Sequence, residues 1–425
     1  MSVNATVTDV FRLKAEPRPF GEVGAHRYLL AVLVFLLPVQ LETSRGINFA
    51  LSDVVLLLVL ILGIARMRTS RSDWSLWHVL LLPLLWFGAI NTYLSYGFIS
   101  RWAVLNKFVG IVVLLLLYLV VVQYARSLEA VRHLAKLLLY SVIIQAAIAL
   151  PMYFVGLVYP PFHTARISGF LLDPNAYGGF MVVGLCLHWS TVNTRCQLVG
   201  RALAGATSAL ILLNLFFTFS RSSWIGLAVV LVVAPLINRR CWRHVVIPPA
   251  IGVALVLLVF RSYFMRKLLP LVLRPQQITG RLNIIDNAIG SFLSHPLFGA
   301  GLGSFLHQNG VQVHNSFMWM LAELGVVGAG VFVGFVTWFV FRGVRAHRHV
   351  GPGYRELVAG LLTAHLAMIG LSLGIEAFYQ RYWWVVMALL SASCTASARL
   401  RQPTTEPASR RDDSHDGIRG LEKAY

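Results

Sequence analysis

Charge is what this chain has least of. Asp, Glu, Lys and Arg together make up 12% of its 425 residues, against roughly 25% in a soluble domain. That scarcity excludes an ordinary water-soluble fold. Acid is rarer than base, 17 residues against 36, and no Asp-x-Asp pair stands in the connections assigned below to the outer face. Cysteine is limited to four residues. Cys186 and Cys394 lie in apolar runs, Cys196 and Cys241 in short basic connections, and no CxxC or Cys/His spacing appears. A disulfide framework and a cysteine metal site are thereby excluded, and reduced packing residues are expected. No P-loop is present: the glycines of His295-Pro296-Leu297-Phe298-Gly299-Ala300-Gly301-Leu302-Gly303 are not followed by Gly-Lys-Ser/Thr, and no strand precedes them. Solenoid-type repeats are absent as well.

What is present is apolar sequence. Hydrophobic residues make up 57% of the chain, and the mean hydropathy is +0.70. Apolar runs recur at 28–44, 48–65, 77–97, 105–124, 134–158, 174–190, 202–219, 222–237, 244–260, 316–341, 357–375 and 380–397. Each has a length suited to crossing a hydrocarbon core as helix. The expected fold is all-α, a polytopic membrane bundle of about twelve transmembrane helices. The first run lacks a small-residue cleavage site and is expected to be retained. Ser220-Arg221-Ser222 alone divides the seventh and eighth runs, which leaves open a broken or re-entrant helix.

The net charge of +19 does not point to nucleic acid. The basic residues are spread through short connections, the pattern that membrane orientation requires. With both termini in the cytoplasm, about 25 of the 36 Lys and Arg fall inside, a strong asymmetry by the positive-inside rule. The outward exceptions are Arg45, Arg101, Lys107, Arg166, Arg221, Arg261, Arg266, Lys267, Arg274, Arg281 and Arg381. Five of them share one long connection, 261–315. Long connections in compact proteins are functional or disordered, and this one is not disordered in composition. Leu282, Ile285, Ile289, Phe292 and Leu293 recur at helical spacing, which predicts an amphipathic helix on the membrane surface. The expected division is therefore a cytoplasmic segment 1–27, spans one to nine over 28–260, a periplasmic loop 261–315 bearing the chemistry, spans ten to twelve over 316–397, and a disordered cytoplasmic tail 398–425.

The richest stretch is His314-Asn315-Ser316, followed by an apolar run that carries Glu323-Leu324-Gly325-Val326-Val327-Gly328. It sets a titratable imidazole, a base at neutral pH, at the mouth of an apolar helix. A lone histidine there is ordinarily a satisfied helix-end residue, with Asn315 or Ser316 as cap. Glu323 lies nine positions on, about 13 Å by helical rise. By itself it reads as a buried carboxyl bonded to a neighbouring helix, and Gly325 and Gly328 as points of close helix contact. Arg281 opens the amphipathic helix in Thr279-Gly280-Arg281-Leu282. It suits a phosphate, or a lipid headgroup by snorkelling. Arg221 stands between two spans with almost no connection, where a charge is costly unless paired. Asp173-Pro174-Asn175 is explained locally as a cap followed by a first-turn proline. His295, His307 and His314 have no helical ligand spacing, so no metal is expected.

Taken together, the His-Asn…Glu-x-Gly-x-x-Gly segment, the arginine followed by the His295–Gly303 turn, and Ser220-Arg221-Ser222 resemble the O-antigen ligase and polysaccharide polymerase family. By motif the resemblance runs from about Arg166 to Gly328. It implies a bundle with its cavity at the periplasmic face and a donor glycan on undecaprenyl diphosphate. It implies His314 as the base that activates an acceptor hydroxyl, and Arg221 and Arg281 as diphosphate ligands. Arg166, Asn315 and Glu376 are weaker candidates, Arg166 for phosphate and Glu376 for orienting a histidine or binding acceptor. No cofactor is implied, because two arginines stabilise a departing diphosphate electrostatically. The acceptor stays open: lipid A–core oligosaccharide in a ligase, a second lipid-linked glycan in a polymerase, a serine or threonine in a protein glycosylase. The short basic outer loop favours the ligase and an anionic lipid acceptor. A transporter of a lipid-linked or anionic solute is the reading of a different class. Matching broken halves are not seen, and candidates gathered at one face favour chemistry.

Overall fold

The computed structural model describes residues 24–42, 48–63, 74–97, 102–157, 166–259 and 275–400. The chain opens with α1 (Gly24–Leu36) and α2 (Leu51–Gly63), joined by β1 (Gln40–Glu42) and β2 (Asn48–Ala50). There follow α3 (Leu76–Tyr96), a π-helical stretch Trp102–Val109 running into α4 (Gly110–Tyr124), α5 (Leu128–Phe154), α6 (Pro174–Thr191), α7 (Ala204–Phe217), α8 (Arg221–Ile237) and α9 (Trp242–Val259). The last third comprises α10 (Pro275–Ser294), the short α11 (Ser304–Asn309), α12 (Ser316–His349), α13 (Arg355–Leu371) and α14 (Arg381–Arg399). Both expected ends lie almost wholly outside the described residues, as do Arg45, Arg101 and the basic stretch with Arg261, Arg266, Lys267 and Arg274.

Every apolar run overlaps one helix, and the seventh and eighth are two separate helices, α7 and α8. Four helices among the described residues are long and apolar enough to cross a membrane by length and composition: Leu76–Tyr96, Asn106–Tyr124, Leu128–Phe154 and Ser316–His349. Leu51–Gly63, Arg201–Phe217 and Arg221–Ile237 are shorter apolar helices. The expected number of about twelve is therefore not what these two measures give.

The first run also departs from a plain span. Pro38, with no N–H to donate, follows the end of α1, and the Val39 N–H turns back onto Leu36 O at 3.0 Å. Gln40–Glu42 then pairs antiparallel with Asn48–Ala50, Leu41 opposite Phe49. This hairpin is the strand element that an all-α expectation misses. Beside it, Arg381 grips Asp53 with two bonds of 2.8 and 2.6 Å, so this outward arginine has a protein partner.

The core lies around α13, which packs on α6, α8, α12 and α14, while α14 packs on α4 and α12. Trp189, Trp319, Trp383 and Trp384 are fully buried, and their indole N–H groups find acceptors, as Trp383 does in His365 Nδ1 at 2.9 Å. A buried indole without such a partner would carry a desolvation cost. The predicted surface helix is α10. It packs against α12 and leaves Leu282, Ile289 and Leu293 exposed, positions that share one helical face. That is an apolar stripe suited to the bilayer boundary.

One test of orientation follows from the cysteines, all four of which are buried. Background labelling by an impermeant thiol reagent is therefore expected to be low. Gln308→Cys, at an exposed position of α11, is expected to react in intact spheroplasts. Gly351→Cys, in open space past α12, is expected to react only after lysis. The reverse pattern would invert the topology and move the site to the wrong face.

Candidate active site

Three helices begin at one end of the bundle, each behind a polar cap. Asp173 caps α6, its Oδ1 accepting from the Asn175 N–H at 2.9 Å. Ser220 caps α8, its Oγ accepting from the Ser223 N–H at 3.2 Å. Asn315 caps α12, its Oδ1 accepting from the Phe317 and Met318 N–H groups at 2.9 and 3.0 Å. The three starts are stitched together. Ser223 Oγ donates to Asn175 O at 3.2 Å, and a Cβ on Gly178 would lie 2.1 Å from that hydroxyl oxygen, so α6 and α8 meet at their first turns. Asn315 Nδ2 donates to Leu373 O at 3.0 Å, and the next residue, Gly374, lies against Ser222. Helix starts expose unpaired N–H groups and the positive end of the macrodipole, which favours an anion between them.

Two of these entries are strained. Phe219 (φ 46°) and His314 (φ 45°) lie in the left-handed region without being glycine. Such residues cost of order 1–3 kcal/mol each and persist where the surroundings hold them. The turn at Phe219 lets α7 end and α8 begin within three residues and sets Arg221 as the first residue of α8. The turn at His314 sets the imidazole directly before α12.

His314 is exposed, in a recess whose walls still remove part of its water. That partial burial holds its imidazole below the usual range; Asp173 acts against the shift and Arg281 adds to it. Arg281 on α10 is half-buried. Burial lowers its affinity for a proton, Arg221 acts the same way, and Asp173 opposes both. Charges act at this strength only at short range. Asp173 and Arg281 thus lie within electrostatic range of His314, and Arg221 and Asp173 within range of Arg281; Asp173 is a residue that the sequence motif explains only as a cap.

The weaker candidates separate. Arg166 is tied into the frame: Nε donates to Thr218 O at 2.7 Å and Nη2 to Asn175 Oδ1 at 2.9 Å. It braces the loop before α8 against the start of α6. Asn315 spends its amide on capping and on Leu373, a structural role. Glu376 lies beneath the histidine loop, where its carboxyl accepts from the Val313 N–H and Oε1 has no partner. Burial raises its proton affinity; Lys107 lowers it, Glu323 raises it, and the Val313 bond lowers it.

Glu323 is fully buried and pairs with Lys107 at 2.9 Å. Its other oxygen accepts from the Gly303 N–H at 2.7 Å and from Trp319 Nε1 at 2.6 Å. Lys107, 2% exposed, also lies over the Trp319 ring, 4.7 Å from its centre. This places Glu323 in the hydrogen-bonded structural role and gives Lys107 a buried protein partner. The signal that finds this pair is a lone cation and a lone carboxylate in two apolar runs, since ionisable groups there need partners.

Gly325 does more than permit close helix contact. At φ 67°, ψ −164° it breaks α12. The His295–Gly303 turn fills the break: Val326 and Val327 N–H donate to Pro296 and Leu297 O, while Ala300 and Gly301 N–H donate to Ala322 and Glu323 O. The backbone groups freed by the kink are thus satisfied by protein. A Cβ on Gly325 would lie 2.3 Å from Leu297 O, so any side chain expels the turn. The two glycine motifs of the sequence are the two halves of one joint.

Among the described residues no group of three or more His, Cys, Asp or Glu forms a metal-binding cluster; the groups suited to an anion are the arginines and helix starts. No curated protein matches the chain. Residues 206–333 match the family described as O-Antigen ligase, a segment from α7 into α12 that holds Arg221, Arg281, His314, Glu323 and the glycine joint. Over this segment the chain, a membrane protein, is similar to the O-antigen ligase family.

Proposed function

We propose that the protein is an O-antigen ligase: a metal-independent, inverting glycosyltransferase that moves a glycan from undecaprenyl diphosphate to lipid A–core oligosaccharide at the periplasmic face of the bacterial inner membrane. The observation that supports this most is the convergence of Arg221, Arg281 and His314 at the starts of α8 and α12, inside the family-matched segment. The arginines and helix starts hold the diphosphate. His314 takes the proton of an acceptor hydroxyl. The hydroxyl oxygen bonds to the anomeric carbon from the face opposite the diphosphate, and the carbon–oxygen bond to phosphate breaks, its electron pair leaving with the lipid diphosphate. The exposed apolar stripe of α10 lies along the boundary where a lipid-borne donor arrives. Both termini lie in the cytoplasm in this arrangement.

A polysaccharide polymerase of the same family shares the donor and differs in the acceptor. Purified protein incubated with undecaprenyl-diphosphate glycan plus lipid A–core is expected to give a ladder on the lipid A–core. Longer donor chains instead would make it a polymerase. The arginines have their own signature. Arg221→Ala and Arg281→Ala are expected to weaken donor binding by tenfold or more, about the worth of a charge-assisted contact. Arg281→Lys recovers only part, as it lacks the planar two-pronged contact. Unchanged donor affinity in both alanine variants would remove the arginines from the diphosphate.

A further inference from the structure

Asp173 puts a carboxylate where an anionic donor is to bind, which calls for an explanation beyond helix capping. Its cap bonds both fall on Oδ1, from the Asn175 N–H at 2.9 Å and Asn175 Nδ2 at 2.8 Å, and Oδ2 takes neither. Asn175 is fixed in turn by Arg166 through its side chain and by Ser223 through its carbonyl. The carboxylate is thus clamped in one orientation on a frame tied to Ser223, two residues after Arg221 at the start of α8. A serine or asparagine would cap α6 as well. What aspartate adds is a charge, set where the starts of α6, α8 and α12 are joined through Asn175–Ser223, Ser222–Gly374 and Leu373–Asn315, and that charge acts on both His314 and Arg281.

We infer that Asp173 is a positioning residue for the transfer reaction: its fixed negative charge balances the arginine pair at His314, so that the histidine can hold the proton it takes from the acceptor. The inference rests on the glycosyl-transfer reading for the origin of that proton. During the step the acceptor O–H bond breaks and its proton moves to the imidazole. A third cation then appears beside Arg221 and Arg281, at the moment the donor's diphosphate separates with its own charge. With no anion of the protein's own, the imidazolium would rely on the departing group alone. The charged groups that act on His314 are Asp173 before α6 and Arg281 on α10; Arg221 on α8 acts on Arg281 in turn, and Glu376 before α14 bonds to the residue preceding the histidine. Glu376 is turned onto the Val313 N–H and sits beside Lys107 and Glu323, which leaves Asp173 as the counter-charge.

This division predicts opposite effects on binding and turnover. Removing the charge should tighten an anionic ligand and slow the reaction. The variants are Asp173→Asn and Asp173→Ser, both competent caps, in the full chain in lipid nanodiscs. Three quantities are read: binding of undecaprenyl diphosphate, turnover at saturating donor, and the pH midpoint of His314 modification by diethyl pyrocarbonate, followed by peptide mass spectrometry. The midpoint is expected to fall by about one pH unit, the scale of one nearby opposite charge. Lipid diphosphate binding is expected to tighten a few-fold, and turnover at pH 7 to fall about tenfold or more. An unchanged midpoint, or turnover and binding falling together with thermal stability, would leave Asp173 as a cap and overturn the inference. The midpoint is read without catalysis, so failure of the transfer reading shows separately, as a wild-type protein that makes no product.

Discussion

Replacing His314 is expected to abolish turnover while leaving donor binding within about twofold, because a base acts on the acceptor in the transition state and not on the bound lipid diphosphate. The loss should be on the order of 10²–10⁴ in rate, the usual worth of a positioned base. His314→Asn is the cleaner variant. The position sits at φ 45°, and asparagine tolerates the left-handed region better than most residues, so the turn into α12 survives. His314→Ala keeps the strain and is expected to agree in rate. Wild-type activity should show an acid limb below pH 6.5, since burial and Arg281 hold the imidazole below its ordinary value against the pull of Asp173. Above that limb the ring is neutral and competent; as pH falls through it the base is protonated and turnover is lost. A His314→Asn protein with full single-turnover rate would reduce His314 to a helix-entry residue.

The second large effect concerns stability. Lys107→Met is expected to destabilise the protein by about 3–5 kcal/mol, the usual consequence of leaving one member of a buried ion pair uncompensated. The pair is nearly inaccessible to solvent, and Glu323 also holds the Gly303 N–H and the Trp319 indole. Losing its cation therefore loosens the joint between the His295–Gly303 turn and α12. Lys107→Met combined with Glu323→Gln should recover much of the loss, because glutamine accepts the same N–H groups without a charge. Thermal unfolding in detergent of both single variants and the double variant closes the cycle. Additive losses would mean that the two residues do not act as a pair, and the 2.9 Å contact would then carry little of the fold.

Much of this arrangement is legible in the sequence because it depends on local chemistry. Apolar runs set helix positions, Asp173-Pro174, Ser220 and Asn315 mark helix starts by their capping chemistry, and the periodicity of Leu282, Ile289 and Leu293 gives the surface helix. The rest depends on distance along the chain or on backbone geometry. Gln40–Glu42 reads as the end of an apolar run, since nothing local shows that it pairs with Asn48–Ala50. Lys107 and Glu323 are separated by 216 residues, so each looks like an isolated charge. Gly325 lies inside a continuous apolar pattern; only the docked turn shows that it breaks the helix. Asp173 has a sufficient local explanation as a cap, and that sufficiency hides its proximity to His314. Arg166 shows the converse: an outward arginine suggests phosphate by type, whereas its bonds to Thr218 and Asn175 brace a loop.

Chemistry at this site, as opposed to passage through it, is most directly tested by following the donor's own linkage. Purified protein in lipid vesicles is supplied with undecaprenyl-diphosphate glycan, with and without lipid A–core, and free undecaprenyl diphosphate is measured beside the acceptor product. The expected result is one lipid diphosphate released for each glycan transferred, dependent on acceptor and absent in His314→Asn. Glycan–diphosphate linkages that stay intact while the lipid-linked glycan crosses the bilayer would contradict glycosyl transfer and make the protein a transporter.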